Sequence, residues 1–306
     1  MSGSSTDLPP PGAPTLCLGD AIVELICEHA LDDVSAADAF VPHFGGAVAT
    51  VAVTAARHGA HVSLAGAAGD DAWGRWLRTR LRREGVGTDL FELVPGARTP
   101  VAIVGVDSDG NPSDDVHVDG IAGPAGERLE EAVRASAAVF ITSGGPEAGE
   151  ATMRARELAL SLERPVVFDP QLRPHRWRSR AEAAAVANAC VPDALLVRAG
   201  AGDAELMTGE DDPERAALAL LKAGARMVVI TLGPDGAILR GELRLDVDGE
   251  GTSAEVLSTI GAGEVLTGVL LARLATSAYY PSAVAASLPE AVAQATRACE
   301  RWGALD

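Results

Sequence analysis

Lysine is nearly absent from this chain, and basic residues as a whole are outnumbered. Of the 25 basic side chains only Lys222 is a lysine, and 43 acidic residues leave a net charge of -18. No basic cluster is available to neutralise phosphates, so we expect no nucleic-acid partner and no membrane partner. No Gly-x4-Gly-Lys motif occurs, which excludes a Walker A loop. A bound phosphate must therefore be held by backbone amides, an arginine or a metal ion.

Paired cysteines and long apolar runs are also lacking. The four cysteines show no Cys-x-x-Cys spacing, which favours reduced, buried thiols in a cytoplasmic protein over disulfides or a zinc site. No apolar run approaches the roughly 20 residues of a membrane span. Residues 1–14 are rich in Ser, Pro and Gly, without a basic or an apolar segment. We expect them to be a disordered lead-in and not a signal peptide.

Apolar residues, by contrast, are abundant enough for a large core. The 306 residues are 47% hydrophobic and only 22% charged. These values are typical of a folded globular protein, and the length fits one large α/β domain or one and a half ordinary ones.

Glycine spacing, a carboxylate and a helix start coincide in the stretch 257–269. Gly261 and Gly263 come just before a long apolar run, so the backbone amides from Ile260 to Glu264 can face outward together and bind an anion. Glu264 falls in the first turn of the helix, where it could accept a proton from a hydroxyl nucleophile. The pattern indicates phosphoryl transfer, although Gly-x-Gly before a helix is also common as a plain helix entry.

Most of the chain alternates between strand and helix patterns. We expect strands at 15–18, 21–26, 61–65, 101–106, 116–118, 138–142, 166–168, 195–197, 227–231, 237–239 and 243–245. We expect helices at 47–58, from 70 to 85, at 128–136, 150–162, 180–190 and 213–223, from 263 onward, and at 289–302. Residues 66–69 are interpreted as a glycine-rich turn and 198–203 as a loop. Repeated βα units predict a mainly parallel sheet with helices on both faces.

Several polar residues follow the predicted strands, at the sheet edge where ligands collect. They are Asp20, Asp169, the segment 198–203 and the segment 231–236. Glu24 lies inside an apolar strand pattern, so its carboxylate must either be capped by backbone amides or face a cleft.

The motifs together resemble the ribokinase-like family, the phosphofructokinase-B type of sugar and nucleoside kinases, from residue 15 to the C-terminus. The matching residues are Gly45-Gly46 with the Ala-rich helix, Gly66-Ala-Ala-Gly-Asp-Asp-Ala-Trp-Gly74, Gly85-Val86, Thr99-Pro100, Asp169-Pro-Gln-Leu-Arg173, Thr208-Gly209, Thr231-x-Gly233-x-x-Gly236 and Gly261-Ala-Gly263. The resemblance implies an α/β three-layer sandwich at 15–306. It also implies a small β-strand lid formed from about 21–42 and 98–120, and a possible homodimer through that lid.

The resemblance also implies ATP and Mg²⁺ as cofactors, a possible monovalent cation, and a small sugar as acceptor. It assigns the base to Glu264 and the anion hole to Gly261, Ala262 and Gly263. It places the nucleotide against Thr231, Gly233, Gly236 and Ile260, and the sugar against Asp20, Glu24, Gly45, Gly46, Thr50 and Arg173. Asp203 is the candidate metal residue. Positioning and backbone charge stabilisation carry this chemistry.

Several side chains depart from the family pattern while the glycines remain. Glu264 replaces an aspartate base, Thr50 a substrate asparagine and Glu24 a substrate aspartate, whereas Gly200 replaces the amide of the metal and phosphate motif. An extra methylene moves a carboxylate by roughly 1 Å, which can cost about 10²-fold in rate.

These departures leave three hypotheses open. The first is an active ATP-dependent kinase of a small sugar or sugar acid, of the fructokinase or 2-keto-3-deoxygluconate kinase sort, with reduced activity. The second is a non-catalytic protein that binds nucleotide or sugar, and the third is a nucleoside kinase.

Overall fold

A computed structural model of the protein describes residues 8–31, 33–116, 121, 123–143, 149–249 and 255–305. The strands are β1 (Thr15–Leu18), β2 (Ile22–Ile26), β3 (Val41–Gly45), β4 (Val62–Gly69), β5 (Phe91–Val94), β6 (Val101–Val106), β7 (Pro112–Val116), β8 (Ala138–Ile141), β9 (Val166–Phe168), β10 (Leu196–Gly200), β11 (Met227–Thr231), β12 (Ala237–Gly241) and β13 (Leu245–Val247). The helices are α1 (Ala47–Arg57), α2 (Ala72–Arg83), α3 (Gly126–Arg134), α4 (Gly149–Ser161), α5 (Arg180–Cys190), α6 (Ala201–Thr208), α7 (Pro213–Lys222), α8 (Ala262–Thr276) and α9 (Ser282–Ala298).

Within the described residues, nine strands form the main sheet in the order β13-β12-β11-β10-β9-β8-β1-β4-β5. The strands from β11 to β5 run parallel, and β12 and β13 add an antiparallel edge. The predicted mainly parallel sheet is confirmed. After β1 the chain proceeds to β4 on one side and later returns to β8 on the other. This change of direction leaves a crevice at the carboxyl ends of the strands, where such sheets bind ligands.

Alternate residues of the central strands point to opposite faces, and each face has its own apolar core. Cys17 and Val167 pack with α1, α2, α8 and α9, whereas Leu16, Val166 and Phe168 pack with the helices from α3 to α7. Both faces of each central strand are thus buried. Successive residues of the strand are therefore mostly apolar, and the strand appears in the sequence as a nearly continuous apolar run. The result is three layers, with helices on both sides of the sheet.

A smaller sheet with the order β3-β2-β6-β7 lies beside the carboxyl ends of the main strands. One cluster of its apolar residues (Ile22, Ile26, Ala102, Val104 and Val106) packs against Ile260, just before α8, and against Trp302. The sheet therefore lies next to the start of α8. The lid limits expected at 21–42 and 98–120 stay a prediction, and residues 117–120 are outside the described residues.

Three local expectations were wrong. Residues 66–69 continue β4 and pair with β5, which the sequence pattern did not show. The segment 198–203 is the end of β10 followed by α6. Helix α9 begins at Ser282 and contains Pro289 in its interior. In each case pairing or packing with a distant element outweighs the local glycine or proline signal.

The N-terminal segment expected to be disordered is described only from residue 8 onward. The carbonyl oxygen of Gly12 lies 2.7 Å from Nδ1 of His61, and that of Pro14 accepts a hydrogen bond from the Ala137 amide at 2.9 Å. No helix in the described part of the chain is long and apolar enough to cross a membrane.

Candidate active site

The turn before α8 presents backbone amides at a helix start. Gly261 is the N-cap residue and has a left-handed φ of 73°. The carbonyl of Gly261 accepts from the Val265 amide at 2.8 Å, which opens the helix. Among the described residues, the amides of Gly261 and Gly263 donate to no protein acceptor. They are free to bind an anion.

Two other amides of the predicted anion site are already used inside the turn. The Ile260 amide donates to Oγ of Ser258 at 3.1 Å, and the Ala262 amide donates to the Thr259 carbonyl at 3.3 Å. The five predicted amides therefore do not all face outward. The two used ones fix the shape of the turn instead.

A cavity of about 210 Å³, the inner cavity, opens in front of this turn. It is lined by Ile22, Glu24, Gly46, Ala47, Thr50, Ala102, Val104, Pro112, Arg173, Thr259, Ile260, Gly261, Glu264 and Ala304. The smaller sheet forms one wall, and the starts of α1 and α8 form the other. The fold therefore brings Glu24, Thr50, Arg173 and Glu264 together around one space, although they are far apart in the chain.

Glycines at the start of α1 make room for the acidic side chain of the smaller sheet. Any Cβ on Gly45 would collide with the Glu24 carboxyl group, and Gly46 has a φ of 96°. A Cβ on Gly46 would also lie 2.9 Å from Cα of Ala21. Of the two readings of Glu24 from the sequence, the structure supports the one in which it faces a cleft.

A second cavity of about 720 Å³, the outer cavity, adjoins the inner one. Ile22, Gly46, Ala47 and Arg173 line both. The exposed Asp20 lines only the outer cavity, beside the residues that follow β1, β4 and β8. The predicted sugar residues are thus divided between two connected spaces, with Arg173 at their junction.

Burial raises the pKa of Glu264 above its ordinary value of 4.5. The Arg198 guanidinium opposes this shift, Asp169 adds to it, and Arg173 opposes it more weakly. A carboxylate with a raised pKa is a stronger base, so the environment of Glu264 suits proton abstraction from a hydroxyl group.

Asp203 is the third residue of α6, in the first turn of that helix, and is half-buried. One of its carboxylate oxygens accepts from the Leu172 amide at 3.3 Å. Burial, followed by the charge of Asp169, raises its pKa to about 6. No group of three or more potential metal ligands occurs in the described part of the chain. Magnesium that is bound mainly through nucleotide phosphates needs only one or two carboxylates, so Asp203 fits as one such ligand.

Three glycines lie at the ends of β10 and β11: Gly200, Gly202 and Gly233. A Cβ on Gly202 or on Gly233 would meet no atom within 4 Å, and one on Gly200 would meet only Thr231 Oγ1 at 3.9 Å. This leaves an open groove of backbone beside Thr231, which is compatible with the predicted nucleotide position.

Two of the predicted nucleotide residues are placed differently. Gly236 has a φ of 97° and packs against the end of β13, where a Cβ would lie 2.6 Å from the Gly249 nitrogen. Its glycine is explained by that turn. Ile260 points to the smaller sheet and lines the inner cavity. Their contact with nucleotide stays a prediction.

A buried arginine lies beneath the turn: Arg198, which the sequence analysis included only as the first residue of the segment 198–203 and to which it gave no role. Arg198 of β10 is 6% exposed, and its Nη1 lies 3.1 Å from Oδ2 of the fully buried Asp169. Its Nη2 donates to Thr231 Oγ1 at 2.9 Å. Thr267 of α8 donates to the same Asp169 oxygen at 2.8 Å. The signal that could have found Arg198 is the one used for Glu24: a charged residue inside an apolar strand.

Comparison with known proteins shows the family of this chain. The profile described as pfkB family carbohydrate kinase matches residues 15–301. The proteins named fructokinase-1 from Oryza sativa subsp. japonica and from Zea mays are each 30% identical over 271 residues, which is 84% of this chain and 81% of each relative.

Solved structures share the fold. The fructokinase of Vibrio cholerae O395 with fructose, ADP and calcium superposes with a TM-score of 0.82 at 24% identity, over 96% of this chain and 94% of that one. The aminoimidazole riboside kinase of Salmonella enterica, complexed with aminoimidazole riboside and an ATP analogue, gives 0.80 at 23%, over 95% of each chain. The predicted ribokinase-like α/β fold is confirmed. Because the family profile spans nearly the whole chain and its motifs converge on one crevice, the protein belongs to the pfkB family of carbohydrate kinases.

Proposed function

We propose that this carbohydrate kinase transfers the γ-phosphoryl group of ATP to a hydroxyl of a small sugar, with Glu264 as the base. One observation carries the proposal: Glu264 and Gly261, whose amide donates to no acceptor among the described residues, line the same inner cavity. The free amide of Gly263 lies two residues further on, in the first turn of α8. Fructose is the acceptor we put first, because the plant relatives at 30% identity carry the name fructokinase.

The reaction follows from this geometry. The acceptor hydroxyl lies in the inner cavity, where Glu264 takes its proton as the oxygen attacks the γ-phosphorus. The new oxygen–phosphorus bond forms while the bond to the β-phosphate oxygen breaks, and ADP leaves. The amides of Gly261 and Gly263 stabilise the negative charge on the transferred group, which is the main contribution a protein makes to phosphoryl transfer.

Glu24, Thr50 and Arg173 orient the acceptor around the inner cavity, Asp20 borders the connected outer one, and Gly46 borders both. Gly45 lines neither cavity and acts by leaving room for the Glu24 side chain. The adjoining outer cavity of about 720 Å³ leaves room for an acceptor with additional groups, such as a sugar acid. Arg173 at the junction could pair with the carboxylate of such an acid.

The nucleotide lies across the open backbone of Gly200, Gly202 and Gly233, beside Thr231. Magnesium supplies charge neutralisation to the nucleotide phosphates, and Asp203 is the residue that would hold it. The charges of Asp169 and Glu264 also raise the pKa of Asp203, so a cation beside it would offset the repulsion among these carboxylates. A monovalent cation stays a prediction, to be tested by potassium dependence of the rate.

A homodimer through the smaller sheet is proposed as well. Its edge strands are β3 and β7, and Val41 of β3 is 38% exposed. Unpaired strand edges are surfaces on which a second chain can pair. Light scattering of the wild type and of Val41→Lys checks it, since a monomeric wild type contradicts the proposal. A cytoplasmic location is supported by four free cysteines, three of them buried.

The kinase assignment is tested by coupled ADP release over a panel of ketoses, aldoses, sugar acids and nucleosides. We expect sugar-dependent turnover that Glu264→Gln lowers by about 10³-fold. Glu205→Gln is the matched control, because Glu205 is an exposed glutamate of α6 that lines neither cavity. The control should keep wild-type turnover.

Other outcomes of the same assay decide among the alternatives. Turnover confined to nucleosides identifies a nucleoside kinase. Calorimetric binding of sugar and ATP without any ADP release identifies a non-catalytic binding protein, which the glycine at position 200 would favour.

A further inference from the structure

The two glycines of the anion-binding turn lack side chains for different reasons. Gly261 has a left-handed φ of 73°, which favours glycine by itself. Gly263 lies in the first turn of α8 without a positive φ, so its backbone would accept any residue. Space explains Gly263 instead, because a Cβ there would lie 2.7 Å from Nη1 and 2.8 Å from Cζ of Arg198.

The guanidinium of Arg198 is fixed in this position. Asp169 and Thr231 each accept from one of its terminal nitrogens, and Thr267 donates to the same Asp169 oxygen that lies nearest to Arg198. Thr267 Oγ1 also lies 2.9 Å from the Gly263 carbonyl, which ties the network to the turn itself. A planar guanidinium held at two nitrogens has little freedom to rotate.

The buried Nε of Arg198 has no protein hydrogen-bond partner in the described part of the chain. The Arg198 guanidinium is therefore held through its two terminal nitrogens, by Asp169 and Thr231.

The charge next to Gly263 comes more from the Arg198 guanidinium than from its ion-pair partner Asp169. The three atoms nearest to the Cβ position of Gly263 all belong to Arg198, and Asp169 is not among them. The guanidinium also has a larger effect than Asp169 on the pKa of Glu264. The ion pair is therefore oriented with its positive end towards Gly263 in the first turn of α8, while Asp169 contacts Thr267 one turn further on.

We propose that Arg198 is a positioning residue for phosphoryl transfer, whose guanidinium places a fixed positive charge directly behind the Gly261–Gly263 turn. This inference rests on the proposed function. The amides bind the phosphoryl oxygens, and the charge behind them strengthens that binding as negative charge develops during transfer. In a site shielded from water, an immobile charge acts without reorganisation at the moment of reaction. The only lysine of the chain lies at the end of α7, so this charge is supplied by arginine.

Other charged groups also face the base and are kept constant in the test. They are Glu24 of β2, Arg173 after β9 and Asp203 of α6, besides Asp169 and Arg198 themselves. None of these except Asp169 and Arg198 is substituted.

The test compares three variants by steady-state kinetics. Arg198→Met with Asp169→Asn removes both charges and leaves no unpaired buried carboxylate, Arg198→Lys keeps the charge, and Asp169→Asn alone keeps the guanidinium. We expect the double variant to lose about 30-fold to 100-fold in kcat with the sugar KM within about threefold of wild type. Arg198→Lys and Asp169→Asn should stay within about tenfold of the wild-type kcat.

Two outcomes overturn the proposal. One is a double variant whose kcat equals that of the wild type. The other is an Arg198→Lys variant whose kcat falls as far as that of the double variant, which indicates a packing role for Arg198. Circular dichroism checks folding, and Arg198→Gln, which retains a donor for Asp169, replaces the double variant if that one does not fold.

A binding measurement separates this proposal from the kinase assignment. Calorimetry compares a non-hydrolysable ATP analogue with ADP, and we expect the preference for the triphosphate to fall about tenfold or more in the double variant. An unchanged preference contradicts the role of Arg198. Absence of turnover in the wild type, together with a lowered preference in the variant, contradicts the kinase assignment alone. A wild type that binds neither nucleotide contradicts both.

Discussion

The Glu24 side chain of β2 fills the space that a side chain on Gly45 of β3 would need: a Cβ on Gly45 would lie 2.6 Å from Cγ of Glu24. The absent side chain is what allows the Glu24 carboxylate to reach the inner cavity. The position of Glu24 in the inner cavity therefore depends on a glycine of the neighbouring strand.

Gly45→Ala should consequently displace Glu24. A shift of roughly 1 Å at a binding group can cost about 10²-fold, so we expect kcat/KM for the sugar to fall by at least about tenfold, mainly through KM. Gly149→Ala is the control, since a Cβ at Gly149 meets no atom within 4 Å. An unchanged sugar KM in Gly45→Ala would show that Glu24 does not contact the acceptor.

The pH profile should report the buried base. Because burial raises the pKa of Glu264, the acidic limb of kcat/KM should have its midpoint above 4.5, and activity should rise as Glu264 ionises. Glu264→Asp shortens the side chain by one methylene and should lower kcat by about 10-fold to 100-fold while keeping a pH-dependent limb. A profile in Glu264→Gln identical to that of the wild type would assign the limb to another group.

Asp203 should destabilise the folded protein at neutral pH when no metal is present. Its folded pKa of about 6 lies above its ordinary 3.8, so its contribution to stability is fully present below pH 3.8 and is lost as the pH rises through 6. We expect Asp203→Asn, in EDTA, to unfold with a free energy about 2–3 kcal/mol higher than wild type at pH 7.5.

The same comparison at pH 4 is the control for Asp203→Asn. The gain should nearly vanish there, because the carboxyl is then protonated in the folded state. Urea unfolding at the two pH values measures this, and an equal gain at both would point to packing instead of charge.

Asp71 should stabilise the junction of α2 and the smaller sheet. Its carboxylate accepts from the Gly74 amide at 2.9 Å as helix N-cap, and from the Thr99 amide at 2.8 Å and hydroxyl at 2.7 Å. Asp71→Ala should cost about 2–3 kcal/mol of unfolding free energy, because it removes a cap and also the acceptor of the Thr99 amide. Asp212→Ala, which removes only the N-cap of α7, should cost about 1 kcal/mol. Equal losses would mean that the bonds to Thr99 contribute nothing.

The pH dependence of this effect has the opposite sign to that of Asp203. Although burial alone would raise the pKa of Asp71, the hydrogen bonds from Thr99, Gly74 and Trp73 together lower it below 3.8. Its stabilisation is therefore present above the ordinary pKa and is lost as the pH falls through the lowered one. Acid unfolding of the wild type and Asp71→Ala should converge at low pH.

Much of the local structure was predictable because it depends on near neighbours in the chain. Strands β1, β9 and β11 and helix α5 have the limits expected from apolar periodicity, caps and glycines. The start of α8 was also predictable, since Gly261 and Gly263 with Glu264 form one contiguous signal, whereas anion binding there stays a prediction. The open backbone at Gly233 was predictable in the same way, from a glycine within one short segment of the sequence.

The remaining errors share a cause. Residues 66–69 look like a turn, but pairing with β5 draws them into the sheet, where Gly66 accommodates the nearby carbonyl of Gly19. Pro289 looks like a helix start, but packing of Leu288 and Val292 in the core continues α9 on both sides of it. Local preferences of about 1–3 kcal/mol are outweighed by contacts with distant segments.

The sequence by itself determined the alternation of strands and helices, the glycine turn at the start of α8 with its carboxylate, and the near absence of lysine. Only the tertiary structure decided which amides of that turn remain free, that Glu24 shares a cavity with Glu264, and that Arg198 lies beneath Gly263. The physical reason is that spacing along the chain fixes hydrogen bonds within a turn or a helix. The approach of β10 to α8, more than 60 residues later, is set by the packing of the whole core.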